Sequence, residues 1–108
     1  MTLIEVMVSV LIMGIGLLGI AALQTTALRN GQSSLERSQA VIQSYAITDA
    51  MRANRANALA GAYDTSGFQC AGHAGGTLAD NDLQSWLASL KGTMGVGGDA
   101  TTCGSVAC

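Results

Sequence analysis

Three glycines in the first quarter of the chain have the spacing of a dinucleotide-binding fingerprint. Gly14, Gly16 and Gly19 read G-I-G-L-L-G, which matches G-x-G-x-x-G. That motif binds pyrophosphate where a strand turns into a helix and leaves backbone N–H groups free. Here the glycines lie in the middle of an apolar run, so nucleotide binding is not expected. They are instead predicted to allow close helix packing or to mark a point where the helix can locally unwind.

The residue types that most often bind metals or catalyse reactions are few and scattered. The only histidine, His73, follows Cys70 by three positions, but a structural zinc site usually needs four ligands. The acids Asp80, Asp82 and Asp99 stand in capping or turn contexts, and no serine or cysteine has an evident base partner. The sequence therefore predicts a solvated loop histidine, no metal, no cofactor and no enzymatic activity.

The three cysteines, Cys70, Cys103 and Cys108, all lie in the last third of the chain. Because disulfides are rare in the cytosol, they favour an oxidising compartment beyond a membrane. They allow three single-bridge pairings, and the sequence leaves the choice open. A bridge from Cys103 to Cys108 would close a tight loop, whereas a bridge from Cys70 would tie the loop region to the tail. Since no C-x-x-C is present, a structural role is predicted.

Glu5 stands directly before an apolar run that extends from Val6 to Leu23. An ionised carboxylate within hydrocarbon costs about a few kcal/mol, and less near a helix end. One interpretation is an interfacial glutamate stabilised by the helix dipole. The other pairs Glu5 with an α-amino group, either that of its own Met1 or that of Met1 in a neighbouring chain.

The charges that flank this run are unusual for a membrane anchor. Anchors and signal peptides normally carry Lys or Arg before the hydrophobic stretch, whereas here the first basic residue is Arg29. This arrangement favours a chain from which a positively charged leader has been removed. Met1 would then be the first residue of the processed protein and would carry a free α-amino group.

The elements that must position these residues are predicted from the apolar pattern. Residues 1–23 are expected to form a transmembrane helix, because Val6 to Leu23 spans about 27 Å at about 1.5 Å per residue. Without any proline in the chain, the helix should continue as an amphipathic stretch over 24–60, ending near residue 58. The apolar stripe of that stretch is expected on Leu28, Leu35 and Ile42, with Val41, Tyr45 and Ala46 on or near it.

Residues 61–108 are predicted to form a small, loop-rich region with one short helix at about 81–91. Asp80 or Asn81 is expected to cap this helix and Gly92 to end it. The face formed by Leu83, Trp86, Leu87 and Leu90 should dock on the stripe of the long helix. No strand pattern is evident, so the fold class is mainly α.

The N-terminal residues T-L-I-E-V, followed by the long apolar helix, resemble the processed N-terminus of type IV pilins and of the related type II secretion pseudopilins. Within that superfamily the chain resembles the PilV-type minor pilins, in the G-x-G-x-x-G-x-x-x-L-Q segment and in D-A-M-R-A-N. The segment D-L-Q-S-W-L-A-S-L is similar to a second patch of that family. The resemblance is strong over about the first 57 residues and loose beyond them.

The resemblance implies a precursor cut by prepilin peptidase before Met1 and N-methylated there, with Thr2 and Glu5 in the assembly motif. Glu5 would pair with a neighbouring subunit's N-terminal amine. The implied function is a minor subunit that initiates or modifies a type IV pilus and supports adhesion and twitching motility. Its implied partners are other pilins, the inner-membrane assembly machinery, prepilin peptidase and, before assembly, membrane lipid.

The resemblance also implies a location and a fold, from which this chain departs. The chain would cross the bacterial inner membrane once with its C-terminal region in the periplasm, and would then join the surface pilus. Met1 stands where these pilins usually have Phe, and the family's C-terminal antiparallel sheet is missing or truncated.

The net charge of −2 gives no reason to expect nucleic acid. The alternatives are a minor type II pseudopilin and a single-span envelope protein that forms no filament.

Overall fold

The structure, a computed structural model, describes residues 2–72 and 74–108 and contains three helices. These are α1 (Leu3–Ala53), α2 (Arg55–Leu59) and α3 (Leu78–Met94). The chain divides into two compact units, residues 1–35 and 36–108, with the boundary inside α1. Met1 and His73 lie outside the described residues, and so do the predicted processing of Met1 and the predicted loop role of His73.

The first unit consists of the N-terminal part of α1, and every described residue in it is exposed. Within α1 lies an apolar window, near the N-terminus, with none of its residues buried. Of the helices that the structure describes, α1 alone is long and apolar enough to cross a membrane or to act as a signal anchor. The predicted long apolar helix is confirmed at this level.

The predicted single helix to residue 58 is wrong in one detail, because α1 ends at Ala53 and α2 begins at Arg55. The interruption is Asn54, whose backbone leaves helical geometry at φ −114° and ψ 47°. Its side chain donates to the Tyr63 hydroxyl at 3.2 Å and accepts from the Asn57 amide at 2.8 Å. Both bonds join side chains, and they hold Asn54 to the loop after α2 and to α2 itself.

The second unit has a small core in which α1, α3, the loop after α2 and the tail meet. Its buried cluster comprises Ile47, Tyr63, Ala79, Leu83 and Val106, with Met51, Ala58 and Trp86 packed against it. On α3, Leu87 and Leu90 are also buried. The predicted docking of the apolar face of α3 on α1 is therefore confirmed.

The face of α1 that receives α3 is not the predicted one. Val41, Ile42 and Tyr45 remain exposed, whereas Gln43 and Ile47 are the buried residues of α1. The stripe was inferred from large apolar side chains, and this excluded Gln43. Its amide nevertheless contributes to the interface, because Nε2 donates to Ser89 Oγ at 2.9 Å and so satisfies a buried polar group.

Both ends of α3 differ from the prediction. The N-cap is Thr77, and Asp80 is the third helical residue of a capping box rather than the cap itself. Thr77 Oγ1 accepts from the Asp80 backbone N–H at 3.2 Å, while Asp80 Oδ2 accepts from the Thr77 N–H at 3.1 Å. The helix continues through Gly92 and ends at Met94, where Gly95 is the C-cap.

Among the described residues, extended pairing is limited to one antiparallel bridge between Gln69 and Gly104. Nearby, the Thr65 N–H donates to the Val106 carbonyl at 2.9 Å. These contacts hold the tail against the loop without forming a strand. The predicted fold class, mainly α with no strand, is confirmed for the part of the chain that the structure describes.

Candidate functional site

The largest uncovered apolar surface lies on the first unit's part of α1. From Leu3 to Leu23 its large side chains are exposed by between 47% at Val6 and 80% at Leu3. An apolar surface this large is unstable in water and marks contact with lipid or protein. It is the first candidate site of this chain.

Glu5 lies in the first turn of this helix and is exposed. Its backbone N–H donates to the Thr2 carbonyl at 3.1 Å, and its own carbonyl accepts from Ser9 Oγ at 2.8 Å. Thr2 therefore immediately precedes the helix. No cation among residues 2–72 and 74–108 forms an ion pair with the Glu5 carboxylate. The predicted pairing with an α-amino group of Met1 falls outside the described residues and stays a prediction.

The hydroxyl groups of Ser9, Thr25 and Thr26, within and just after the apolar run, bind carbonyls of their own helix. Like Ser9, Thr25 and Thr26 donate to carbonyls four residues earlier, those of Ala21 at 3.0 Å and Ala22 at 3.2 Å. In hydrocarbon an unsatisfied hydroxyl costs several kcal/mol (about 4–8 on an alkane scale), so these internal bonds remove an obstacle to lipid contact.

The three glycines of the apolar run lie within continuous helix. A Cβ added at Gly14, Gly16 or Gly19 would meet nothing within 4 Å, and none of the three has a positive φ. The helix is therefore not unwound at these positions, and no other described residue covers its surface there. Helix packing and local unwinding both stay predictions for these residues.

The second unit holds its parts together with a buried polar network at Tyr63, whose side chain is fully buried. Its hydroxyl donates to Asp82 Oδ2 at 2.5 Å and accepts from the Asn54 amide at 3.2 Å. Desolvation, together with the hydrogen bond to the Asp82 carboxylate, raises the pKa of Tyr63 above 10.0. The network joins the break between α1 and α2 to the loop and to α3.

A second polar contact fixes α3 on α1 beside the core. The Trp86 indole N–H donates to the Gln43 backbone carbonyl at 2.9 Å, next to the bond between Gln43 and Ser89. No buried side-chain N or O atom of the described residues lacks a hydrogen-bond partner. These groups are therefore engaged in holding the fold.

The structure selects one of the three disulfide pairings that the sequence left open. Cys70 bonds to Cys103, which joins the loop after α2 to the tail, and Cys108 is free and exposed. Desolvation and the neighbouring Asp64 carboxylate raise the pKa of the Cys108 thiol. A raised pKa keeps the thiol protonated at neutral pH and makes it a poor nucleophile.

Lys91 organises the segment around this disulfide. Its ammonium donates to the Cys70 carbonyl at 2.5 Å and to the Asp99 carbonyl, and it lies 4.0 Å from Asp99 Oδ1. Hydrogen bonds from the Thr102 hydroxyl and backbone lower the pKa of Asp99, which also accepts from Thr101. The sequence did not indicate this structural role of Lys91, because a single lysine forms no repeating pattern.

The chemical candidates of the sequence are not brought together. No group of three or more His, Cys, Asp or Glu among the described residues is arranged to hold a metal ion. Asp80 belongs to the cap of α3, Asp82 binds Tyr63, and Asp99 binds the turn that follows α3. Each of these acids therefore has a structural partner.

Compared with protein-family models, with curated proteins and with solved structures, the chain shows no significant match. The resemblance to pilins inferred from the sequence stays a prediction.

Proposed function

We propose that this chain is a PilV-type minor subunit of a type IV pilus. It would contribute to the assembly, initiation or modification of the fibre, and hence to adhesion and twitching motility. The observation that supports this most strongly is the uncovered apolar part of α1, which begins at Leu3 and carries Glu5 in its first turn.

The apolar surface would be covered in two successive environments. Before assembly, lipid of the inner membrane would cover it, with the second unit in the periplasm. In the fibre, neighbouring pilin helices would take the place of lipid. Moving a Leu, Ile, Val or Met side chain from water into an apolar environment is favourable by about 1.5–3 kcal/mol. Covering the surface by lipid or by neighbouring helices is therefore favourable in both environments.

Glu5 would define the axial register of helix packing, which an apolar surface alone does not define. Apolar side chains pack in many registers, whereas an ionised carboxylate in a low-dielectric site is costly unless it is paired with a cation. A neighbour's N-terminal amine at Met1 would provide that cation at one axial position. Glu5 would thereby select the register in which a subunit joins the fibre.

The second unit suits a location outside the cytoplasm. The disulfide between Cys70 and Cys103 closes a small unit whose core contains few large side chains. Small domains with limited cores often depend on disulfides in oxidising compartments.

The assembly role is tested by Glu5→Gln in the native host. We expect the variant to reach the membrane fraction normally but to fall at least about tenfold in purified pili, because the charge pairing is lost. Glu36→Gln is the matched control, since Glu36 is also an exposed glutamate of α1. Equal incorporation of the Glu5 variant and the wild type would overturn the pairing.

Mass spectrometry of the N-terminus separates the pilin superfamily from a plain envelope protein. A trimmed and N-methylated Met1 is expected, and an unmethylated chain with its leader intact would overturn the proposal. A deletion that abolishes protein secretion but leaves twitching motility unchanged would instead identify a type II pseudopilin.

A further inference from the structure

A groove in the second unit, well away from the apolar run in sequence, lies where α1 ends and α2 begins. Its volume is about 760 Å³, and its lining includes the side chains of Met51, Arg52, Arg55, Ala58, Leu59 and Asp64. Ligand pockets in proteins typically measure about 300–1,000 Å³. The groove is therefore large enough for a few side chains of one segment and too small for an extended interface.

The groove contains two arginines and one aspartate. Arg52 and Arg55 are exposed, and no acid among residues 2–72 and 74–108 forms an ion pair with either guanidinium. Asp64, the carboxylate of the lining, accepts from the Cys108 backbone N–H at 2.8 Å. The two guanidinium groups exceed the one carboxylate of the lining, so the side chains of the groove carry a net charge of +1, whereas the whole chain carries a net charge of −2.

The floor of the groove is apolar. Met51 and Ala58 are half-buried and pack against the core, which fixes their position, whereas Leu59 is 78% exposed. Arginine beside a fixed apolar surface is typical of the centre of protein interfaces, where a planar guanidinium binds carboxylates in a bidentate manner.

We propose that this groove binds a short acidic, amphipathic segment of a partner protein. A carboxylate of the segment is held by Arg52 and Arg55, and an adjacent apolar side chain packs on Met51, Ala58 and Leu59. Two cations are too few for the phosphate contacts that nucleic-acid binding requires, whereas they match one or two carboxylates. This inference goes beyond the filament proposal and does not depend on it.

The test measures fluorescence anisotropy of labelled hexapeptides with the full chain in phosphatidylcholine nanodiscs, and with empty nanodiscs as the blank. The probe alternates leucine with glutamate. One control peptide replaces glutamate with glutamine and removes the charge, and the other replaces leucine with serine and removes the apolar side chains. We expect both controls to bind at least about tenfold more weakly than the probe.

The variants assign the binding to the groove. The double variant Arg52→Gln/Arg55→Gln should weaken probe binding at least about tenfold, and Leu59→Ser about threefold or more. Arg37→Gln, an exposed arginine of α1 outside the groove, should change it less than about twofold. All these side chains are exposed, so near-UV circular dichroism of Trp86 should stay unchanged and report an intact fold.

Several outcomes would overturn the proposal. Equal binding of the leucine–glutamine peptide would show that charge is irrelevant. Equal binding of the serine–glutamate peptide, with complete displacement by millimolar glycerol phosphate, would indicate a bare anion or lipid-headgroup site instead of a peptide site. An equal loss on Arg37→Gln would show a diffuse electrostatic effect, and no measurable binding of the probe would refute the site.

Discussion

The Tyr63 hydroxyl donates a hydrogen bond of 2.5 Å to the Asp82 carboxylate and thereby joins the loop after α2 to α3. The same oxygen accepts from the Asn54 amide at the end of α1. One buried side chain thus binds three parts of the second unit, and its removal should loosen all of them together.

Tyr63→Phe should lower the free energy of unfolding of the second unit by about 1–3 kcal/mol, because it leaves polar groups of Asn54 and Asp82 without their partner. Urea unfolding followed by the fluorescence of Trp86, the only tryptophan, measures this loss. Tyr45→Phe is the matched control, because Tyr45 is 70% exposed, and it should change stability by less than about 0.5 kcal/mol. Equal effects of the two substitutions would contradict the network.

The same tyrosine should make the second unit sensitive to alkali. The pKa of Tyr63 is raised in the folded chain above its ordinary value of 10.0, so the folded state holds the proton more tightly than the unfolded state does. This contribution to stability is complete below pH 10.0 and is lost as the pH rises through the folded-state pKa. Urea midpoints measured from pH 8 to pH 11 should fall above about pH 10 in the wild type and fall less steeply in Tyr63→Phe. Parallel curves for the two proteins would contradict it.

Loss of the disulfide should destabilise the second unit strongly. Cys70 and Cys103 are separated by 33 positions, for which the chain-entropy model gives about 3–4 kcal/mol. We expect the double variant Cys70→Ala/Cys103→Ala to unfold at much lower urea concentrations. Cys108→Ala should be neutral and should also abolish the single free thiol detected by a thiol assay in the folded, non-reduced chain. A thiol that is still detected in folded Cys108→Ala would indicate another pairing.

Gly104 should not tolerate a side chain, because the tail passes close to the ring of Trp86. A Cβ at Gly104 would lie 2.5 Å from Trp86 Cη2 and 3.2 Å from Leu90 Cδ1. Gly104→Ala is expected to destabilise the unit by about 1–3 kcal/mol and to shift the Trp86 emission maximum. Gly97→Ala, where nothing lies within 4 Å, serves as the control for a glycine in the same region. A neutral Gly104→Ala would mean that the tail is not held against α3.

The start of α3 can be tested by removing its cap. Thr77→Ala removes the acceptor of the Asp80 N–H and should cost about 0.5–2 kcal/mol. Asn81→Ala should be almost neutral, because Asn81 lies inside the helix and is exposed. Thermal unfolding by far-UV circular dichroism compares the two variants. A larger loss at Asn81 than at Thr77 would restore the cap expected from the sequence.

The parts of the fold that follow from periodicity were predictable. The apolar run of α1 and the Leu83, Leu87 and Leu90 face of α3 are repeated signals, and each repeat reinforces the others. The part of α1 that faces α3 was not predictable, because Gln43 is bound there by Ser89 and Trp86 of α3, and no local pattern indicates these contacts.

The predictions of which residues begin and end the helices were wrong for a related reason. Thr77, Asp80 and Asn81 are all acceptable caps, and only the pair of reciprocal bonds between Thr77 and Asp80 decides among them. At Asn54, where the helix is interrupted, the side chain likewise binds Tyr63, a residue of the following loop that no local pattern indicates. The exposed apolar run from Leu3 to Leu23, in contrast, was predictable from sequence, because its side chains do not depend on the positions of other described residues.

The position of Lys91 determines which chemical probes can report on this protein. It is the only lysine of the chain, and its ammonium is bound by two backbone carbonyls, with 12% of the side chain exposed. Reagents that acylate lysine need an accessible amine, and the side chain of Lys91 in the folded second unit is largely covered. Amine-directed cross-linking would therefore miss neighbours of this unit even in direct contact, whereas carboxyl-directed or photoactivated reagents would detect them.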